Sequence, residues 1–332
     1  MNILVTGGAG YIGSVTTAQL IESGHTVVVY DNLSRGHQEA IHPQATLVEG
    51  DLENLNLLKT TLRTHKIEAV MHFAAFIEAG ESMKNPEVYF HNNTKNTLGL
   101  LESMVETGIK TFVFSSTAAV YGNPTEIPIT ENSPLYPTNA YGASKLAIEN
   151  VLHGYYIAGK INYAALRYFN ASGATAKLGE DHQPESHLIP LAMQAALGQR
   201  PPLKLFGTNY PTRDGTCVRD YIHVSDLARA HLLALNALEQ GEGQLIFNLG
   251  SEKGFTNFEV IETIGKVLDK KVPFEKAPRR PGDPDTLIAS SKKIREQLGW
   301  KPEYTDIEAI IKTSYQWRAS HPDGYGGSKE RG

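Results

Sequence analysis

The 332-residue chain holds a single cysteine, Cys217. One thiol excludes an intramolecular disulfide and leaves no mark of an oxidising compartment, so Cys217 is expected to be a small buried hydrophobe and the protein cytoplasmic. A basic excess is missing too. Thirty-one Lys and Arg against 36 Asp and Glu give a formal charge of -5, and no Lys/Arg-rich run reverses that locally, so a nucleic-acid backbone finds no field to recognise. No run approaches the ~18 apolar residues of a membrane span. Met1 leads straight into an apolar strand, without the basic start and cleavage site of a signal peptide. The twelve histidines show no H-E-x-x-H or comparable ligand spacing, so no metal is expected. Repeats and heptads are absent. What remains, 41% hydrophobic and 20% charged residues, is an ordinary globular composition, long enough for two domains or for one large core with a smaller lobe.

Up to residue 170, short β-branched runs alternate with helical patterns, which predicts βαβ units and a mostly parallel sheet. Strands are expected at Ile3–Thr6, Val27–Tyr30, Thr46–Glu49, Ala69–Phe73, Thr111–Ser115 and Tyr163–Tyr168, and helices at Ile12–Ser23, Leu52–Thr64, Asn92–Thr107 and Tyr141–Tyr156. Each strand is nearly continuous in apolar character, as where helices cover both faces. The fold class is therefore α/β, a doubly wound Rossmann parallel sheet over residues 1–170. From Ala171 to Pro184 the chain turns to Gly, Ala and polar residues. A smaller mixed α/β C-terminal lobe is expected over 171–320, with helices at Leu188–Leu197, Ser225–Leu238, Asn257–Leu268, Lys292–Leu298 and Asp306–Trp317. These later elements lack regular strand alternation. Segments near 213–250 are expected to pack back onto the first domain. Residues 321–332, with four glycines and several charges, are expected to be a loose tail.

The first strand runs directly into Gly7, Gly8, Ala9, Gly10, Tyr11, Ile12 and Gly13, where the first helix begins. Glycine there permits positive φ and lets backbone N–H groups approach a pyrophosphate, whose charge the helix N-terminus favours. Asp31 ends the next strand at the ~20-residue distance of a ribose-binding acid. A carboxylate in that place accepts from ribose hydroxyls and repels a 2′-phosphate, so NAD is preferred over NADP. Asp51 follows the third strand, at the carboxyl edge where such sheets bind ligands; alone it reads as an N-cap.

Tyr141 and Lys145 stand four apart on a predicted helix, hence on one face. A phenol with a pKa near ~10 is a poor base at neutral pH, but an adjacent ammonium and a cationic nicotinamide both favour the phenolate. Upstream, Phe114-Ser115-Ser116-Thr117 presents hydroxyls at the carboxyl edge, where Thr117 can hydrogen-bond a reacting oxygen. Each reading gains weight from the others, since a lone Y-x-x-x-K is weak.

Taken together, T-G-G-A-G-Y-I-G, D-N-L, H-F-A-A, F-S-S-T-A-A-V-Y-G, Y-G-A-S-K and R-Y-F-N resemble, in kind and in order, the extended short-chain dehydrogenase/reductase family. G-E-D-H, the stretch from Phe206-Gly207 to Ile222-His223, and Ala277-Pro278-Arg279-Arg280-Pro281-Gly282-Asp283 are similar to the branch of that family that epimerises UDP-hexoses at C4. The likeness covers nearly the whole chain. It implies a homodimeric isomerase of galactose metabolism that interconverts UDP-glucose and UDP-galactose, with NAD held tightly and regenerated in each turnover. Under this resemblance Thr117, Tyr141 and Lys145 are catalytic. NAD contacts fall to Gly7, Gly10, Tyr11, Ile12, Asp31, Asn32, Asp51, Leu52, Phe73, Ala74, Ala75, Asn93, Ser115, Tyr141, Lys145 and Tyr168. The UDP-sugar falls to Thr117, Tyr141, Asn170, His187, Leu188, Phe206, Arg219, Tyr221, Arg280 and Asp283, with the two arginines suited to a diphosphate by their planar donors.

Two positions depart from the family. Ile77 replaces a lysine that contacts the cofactor diphosphate in some epimerases. Near Thr286 and Leu287 the family carries a residue whose size helps decide whether N-acetylated sugars fit, and acetamido sugars and UDP-pentoses both stay open. A rival reading, nucleotide-sugar 4,6-dehydration, requires the Asp-Glu that those relatives carry after the threonine. Here the positions are Ala118 and Ala119, which transfer no proton. A non-catalytic NAD-binding module would have lost Tyr141 or Lys145.

Overall fold

Seven parallel strands form the central sheet of the computed structural model, which describes residues 1–280 and 283–326. In chain order its first half runs β1 (Asn2–Thr6), α1 (Tyr11–Glu22), β2 (Thr26–Asp31), β3 (Thr46–Glu49), α2 (Leu55–Thr64) and β4 (Ala69–His72). Two single turns follow, α3 (Ala79–Ser82) and α4 (Pro86–Tyr89), then α5 (Asn96–Thr107), β5 (Thr111–Thr117), α6 (Ala140–Ile157) and β6 (Asn162–Tyr168). All six strands fall where the sequence places them. Helix starts shift. Asp51 Oδ1 accepts from Glu53 N in a turn, and Asn54 caps α2 by accepting from Leu57 N at 3.1 Å, so the helix begins at Leu55 rather than Leu52. The predicted helix over 92–107 divides into a π-helical segment, Phe90–Lys95, and α5.

Beyond β6 come β7 (Asn170–Ser172), α7 (Leu188–Ala196), β8 (Leu203–Phe206), β9 (Val218–His223), α8 (Val224–Glu239) and β10 (Gln244–Leu249). The chain ends through β11 (Gly254–Thr256), α9 (Asn257–Leu268), β12 (Phe274–Ala277), β13 (Thr286–Leu287), α10 (Lys292–Leu298) and α11 (Ile307–Ser320). β10 rejoins the central sheet, whose order is β10-β6-β5-β4-β1-β2-β3, and α8 packs against α1. In the lobe, β9 lies between β11 and β13 and also pairs with β7, while β8 pairs with β12. These short strands, of two to six residues, carry no readable period.

Alternate residues of the sheet feed two cores. Ile3, Val5, Val29, Met71, Val113, Leu166 and Phe247 face one side; Leu4, Val28, Val70, Phe112, Phe114 and Ala165 face the other. Burial on both faces explains the continuous apolar runs. A third core, built on Ile189, Met193, Leu205, Val260, Ile264 and Ile311, holds the lobe. Cys217 is buried. Residues 321–326 are docked rather than loose. Tyr325 N donates to Asp181 Oδ2 at 3.0 Å, Gly179 N donates to Tyr325 Oη at 2.9 Å, and Trp317 stacks on His321. One aromatic anchor outweighs the glycine-rich composition there. Residues 327–332 lie outside the described residues. Among the described residues no helix is long and apolar enough to cross a membrane.

Candidate active site

A long cleft runs along the carboxyl edge of the central sheet. Its floor starts at the turn between β1 and α1. Gly7 has φ +74°, and a Cβ there would lie 2.6 Å from Ala74 N, so both the turn and the approach of the loop after β4 demand glycine. Gly13 is equally confined, since its Cβ would meet Gly7 O at 2.2 Å. Gly10 is different. Its Cβ would touch only Gly7 O, at 3.3 Å, and the residue lines the cleft at the N-cap of α1, where no side chain caps the helix. The first helical N–H groups lack intrahelical partners and favour an anion there.

Asp31, at the end of β2, is 8% exposed; its Oδ2 accepts from Ala9 N at 3.0 Å and its Oδ1 from Leu33 N at 2.9 Å. Burial pushes the carboxyl up, and those two N–H bonds with His37 offset part of the shift. The acid therefore fastens the glycine turn, and its remaining lone pairs stay available to a ribose. Asn32 Nδ2 donates to Asp51 Oδ2 at 2.7 Å, which joins the ends of β2 and β3 beside Leu52. Phe73, Ala74 and Ala75 line the cleft after β4.

Asn93 does not line it. Its amide accepts from Phe76 N and donates to Phe76 O, each at 2.9 Å, and donates to Ser144 Oγ at 3.2 Å. It positions the loop after β4 against α6, a structural task that the family reading did not distinguish from cofactor contact. Asn92 and Asn96 are the neighbours that reach the cleft.

The far end carries the hydroxyls. Asn139 caps α6 by accepting from Gly142 N at 2.8 Å, and a Cβ on Gly142 would lie 2.6 Å from Ala119 O, so helix and β5 end approach closely. This brings Tyr141 to Thr117, Ser115 and Tyr168 in one lining. Burial pushes the Tyr141 phenol up to about 12 against a hydrogen bond with Thr117 that pulls it down, and Glu78 adds to the rise. Thr117 Oγ1 accepts from Ala119 N at 3.1 Å, and the Ser115 and Tyr168 hydroxyls bond to each other. Lys145 lies behind the lining, where Nζ donates to Ser115 O at 2.8 Å; burial pulls it down to about 7. His72, buried between Thr6 and Thr97, is pushed to about 3 by burial and by Lys145. His223 caps α8 by accepting from Ser225 N at 3.1 Å.

From the lobe, Asn170 and His187 reach the cleft together with Glu180, His182 and Gln183. Asn170 Nδ2 donates to Asp220 O at 2.8 Å. Burial pushes the Glu180 carboxyl up, but His187 and His182 outweigh it and hold it at about 2, while the two glutamates 180 and 185 raise His187 well above its usual value. Phe206, Arg219, Tyr221, Arg280 and Asp283 are not among the residues that line this cleft. Arg280 sits over the Phe206 ring at 4.1 Å; Arg219 is 3.8 Å from Asp283 and donates to the carbonyls of Val218 and Pro284 at 2.9 and 2.8 Å. Tyr221 and Leu188 pack in the lobe core. Pro281 and Gly282 fall outside the described residues.

Sequence reasoning passed over Arg35. A Cβ on Gly36 would lie 2.8 Å from Ala9 Cβ, so the loop after β2 presses onto the glycine turn and brings Arg35 to the cleft mouth. There its guanidinium donates to Gln183 O, lies 3.9 Å from Glu78 and sits over the Phe76 ring at 5.9 Å. The triplet Ser-Arg-Gly after Asp31 was the available signal.

An open helix N-terminus, an acid at the end of β2, and a small glycine face between them suit a dinucleotide laid along the strand ends. Residues 3–250 match the model of the NAD dependent epimerase/dehydratase family. The UDP-glucose 4-epimerase of Lacticaseibacillus casei is 50% identical over 328 residues, 98% of this chain and 99% of that one. The crystal structure of UDP-glucose 4-epimerase from Brucella ovis in complex with NAD superposes with a TM-score of 0.92 at 44% identity, covering 95% of this chain and 98% of that one. That of the Bifidobacterium longum enzyme in complex with NAD+ and UDP gives 0.94 at 36% identity, covering 98% and 100%. The chain belongs to the NAD dependent epimerase/dehydratase family and, within it, to the UDP-glucose 4-epimerases.

Proposed function

We propose that this cleft epimerises UDP-glucose and UDP-galactose reversibly at C4 through a 4-keto sugar, in the galactose metabolism of the cytoplasm. NAD, when bound, accepts and returns the hydride of C4. The reading rests above all on one observation: Tyr141 and Thr117 line the same cleft as the glycine turn. Tyr141 Oη takes the proton of the sugar 4-hydroxyl and later gives it back. Burial keeps the phenol protonated until positive charge gathers beside it, so its activation is coupled to a filled site; Lys145 tunes it from behind. Thr117 orients the same oxygen. Inversion needs the keto sugar to present its other face, so the anchor belongs on the nucleotide, which this reading assigns to Asn170, His187, Leu188, Phe206, Arg219, Tyr221, Arg280 and Asp283. Arg219 would exchange its backbone carbonyls for a diphosphate.

Ala118 and Ala119, next to Thr117, supply neither acid nor base for elimination, which favours epimerisation over dehydration. A homodimer is part of the same reading, and the exposed apolar side chains Met83, Val88 and Phe90, close in sequence, support it. In the test, purified protein converts UDP-galactose to UDP-glucose without added cofactor. Tyr141→Phe lowers turnover by ~10²–10⁴-fold while UDP binding persists. Undiminished turnover in that variant overturns the assignment.

A further inference from the structure

The segment between β7 and α7 folds two glutamates and two histidines onto one another. Glu180, His182, Glu185 and His187 each offer a ligand atom, and all four atoms lie within 4.8 Å of one another. Their spacing in sequence, E-x-H-x-x-E-x-H, matches no familiar ligand pattern, so only the fold reveals the cluster. His187 Nδ1 is 2.8 Å from Glu180 Oε1 and 2.9 Å from Glu185 Oε1, while His182 Nδ1 is 3.1 Å from Glu180 Oε1 and 4.0 Å from Glu185 Oε2.

Two features set this apart from a hydrogen-bonded surface cluster. An imidazole Nδ1 carries at most one proton, yet His187 faces two carboxylates with that single atom. The Glu185 side chain is 7% exposed, and its Oε2 is buried without a hydrogen-bond partner. A tetrahedral ion with N and O ligands at ~2.0–2.2 Å separates its ligand atoms by roughly 3.3–3.6 Å, a value that the four distances bracket. The Glu185 carboxylate is also held in place, because its Oε1 accepts from Ser186 N at 2.7 Å and His187 N at 2.8 Å, the outer-shell support that metal-binding carboxylates use.

We propose that Glu180, His182, Glu185 and His187 form a structural site for a divalent transition metal of the Zn²⁺ class. Two imidazoles with two carboxylates select such an ion over Mg²⁺ or Ca²⁺, which prefer all-oxygen shells. The ion neutralises both carboxylates at once and pins the segment from 180 to 187 at the mouth of the cofactor cleft, where His182 also meets the Tyr11 ring edge-on at 6.2 Å. Three of its ligands border the cleft, and His187, which the proposed function gives to the nucleotide, would serve the ion instead; zinc retention is read without substrate, so a failed epimerase assay leaves the site standing.

The test uses untagged full-length protein, stripped with chelator, dialysed against micromolar ZnCl₂ and analysed for zinc by plasma mass spectrometry. Wild type retains about one zinc per chain, and His182→Ala and Glu185→Gln each lose at least ~10-fold of that, as expected when a ligand or its charge is removed. Circular dichroism confirms that both variants are folded. A wild type retaining less than a tenth of an equivalent, or folded variants retaining as much as wild type, overturns the proposal. Cobalt(II) loading of wild type provides a readout that no variant can spoil. Intense visible absorption of a four-coordinate ion supports the site, and the pale spectrum of a six-coordinate ion overturns it.

Discussion

Lys145 Nζ donates to the carbonyl oxygen of Ser115 at 2.8 Å from a side chain that is 2% exposed. Burial lowers its pKa from 10.5 to about 7, so between those values the unfolded chain carries a proton that the folded chain does not. Stability therefore rises with pH across that window, and the full penalty is present below it. Lys145→Met removes the penalty together with the charge. The melting temperature of the variant minus that of wild type is expected to be most positive near pH 7 and to shrink toward pH 10, while turnover falls. A difference independent of pH contradicts the account.

The glycine turn separates fold from cofactor. Gly13→Ala drives a methyl to 2.2 Å from Gly7 O and 2.9 Å from Gly8 Cα, both backbone, so the turn must open at ~1–3 kcal/mol or more. Gly10→Ala meets little protein and projects into the cleft. Thermal melting should show Gly13→Ala well below wild type and Gly10→Ala close to it. NAD retained after gel filtration should drop in both. A Gly10→Ala protein that melts early, or that keeps its NAD, would refute this division.

The sequence disclosed the glycine turn, Asp31 and Thr117 because each sits where a parallel strand ends, and Tyr141 because Lys145 follows it four residues on along one helix. Arg35 and the mutual approach of Glu180, His182, Glu185 and His187 stayed hidden for the opposite reason. These residues lie on irregular loops whose placement depends on contacts far along the chain, such as Gly36 against Ala9 or Tyr325 against Gly179. Asn93 shows a further limit. An asparagine that holds a loop and one that holds a cofactor carry the same letter, and only the partners of its amide distinguish them. The lobe strands were too short for any period to register.

Behind Thr117, Arg167 and Glu149 form a buried ion pair. Arg167 Nε lies 3.0 and 3.1 Å from the two carboxylate oxygens and Nη2 lies 2.5 Å from one, with side chains 3% and 4% exposed. Ser116 Oγ also donates to Glu149. Arg167→Met leaves that carboxylate unpaired and should cost ~3–5 kcal/mol in urea unfolding. Adding Glu149→Leu should recover most of the loss, since the cost lies in the stranded charge. Equal destabilisation in the single and double variants would show that packing, not charge, dominates.

The return of β10 to the central sheet also sets a clock on synthesis. β6 is complete at Tyr168, but the strand that covers its outer edge starts only at Gln244. At about 5–20 residues per second, the intervening stretch of about 75 residues keeps the β6 edge open on the ribosome for roughly 4–15 s. An uncovered apolar edge of that kind is where a nascent chain recruits a wrong partner, so the lobe's synthesis time is also this sheet's period of greatest exposure to aggregation.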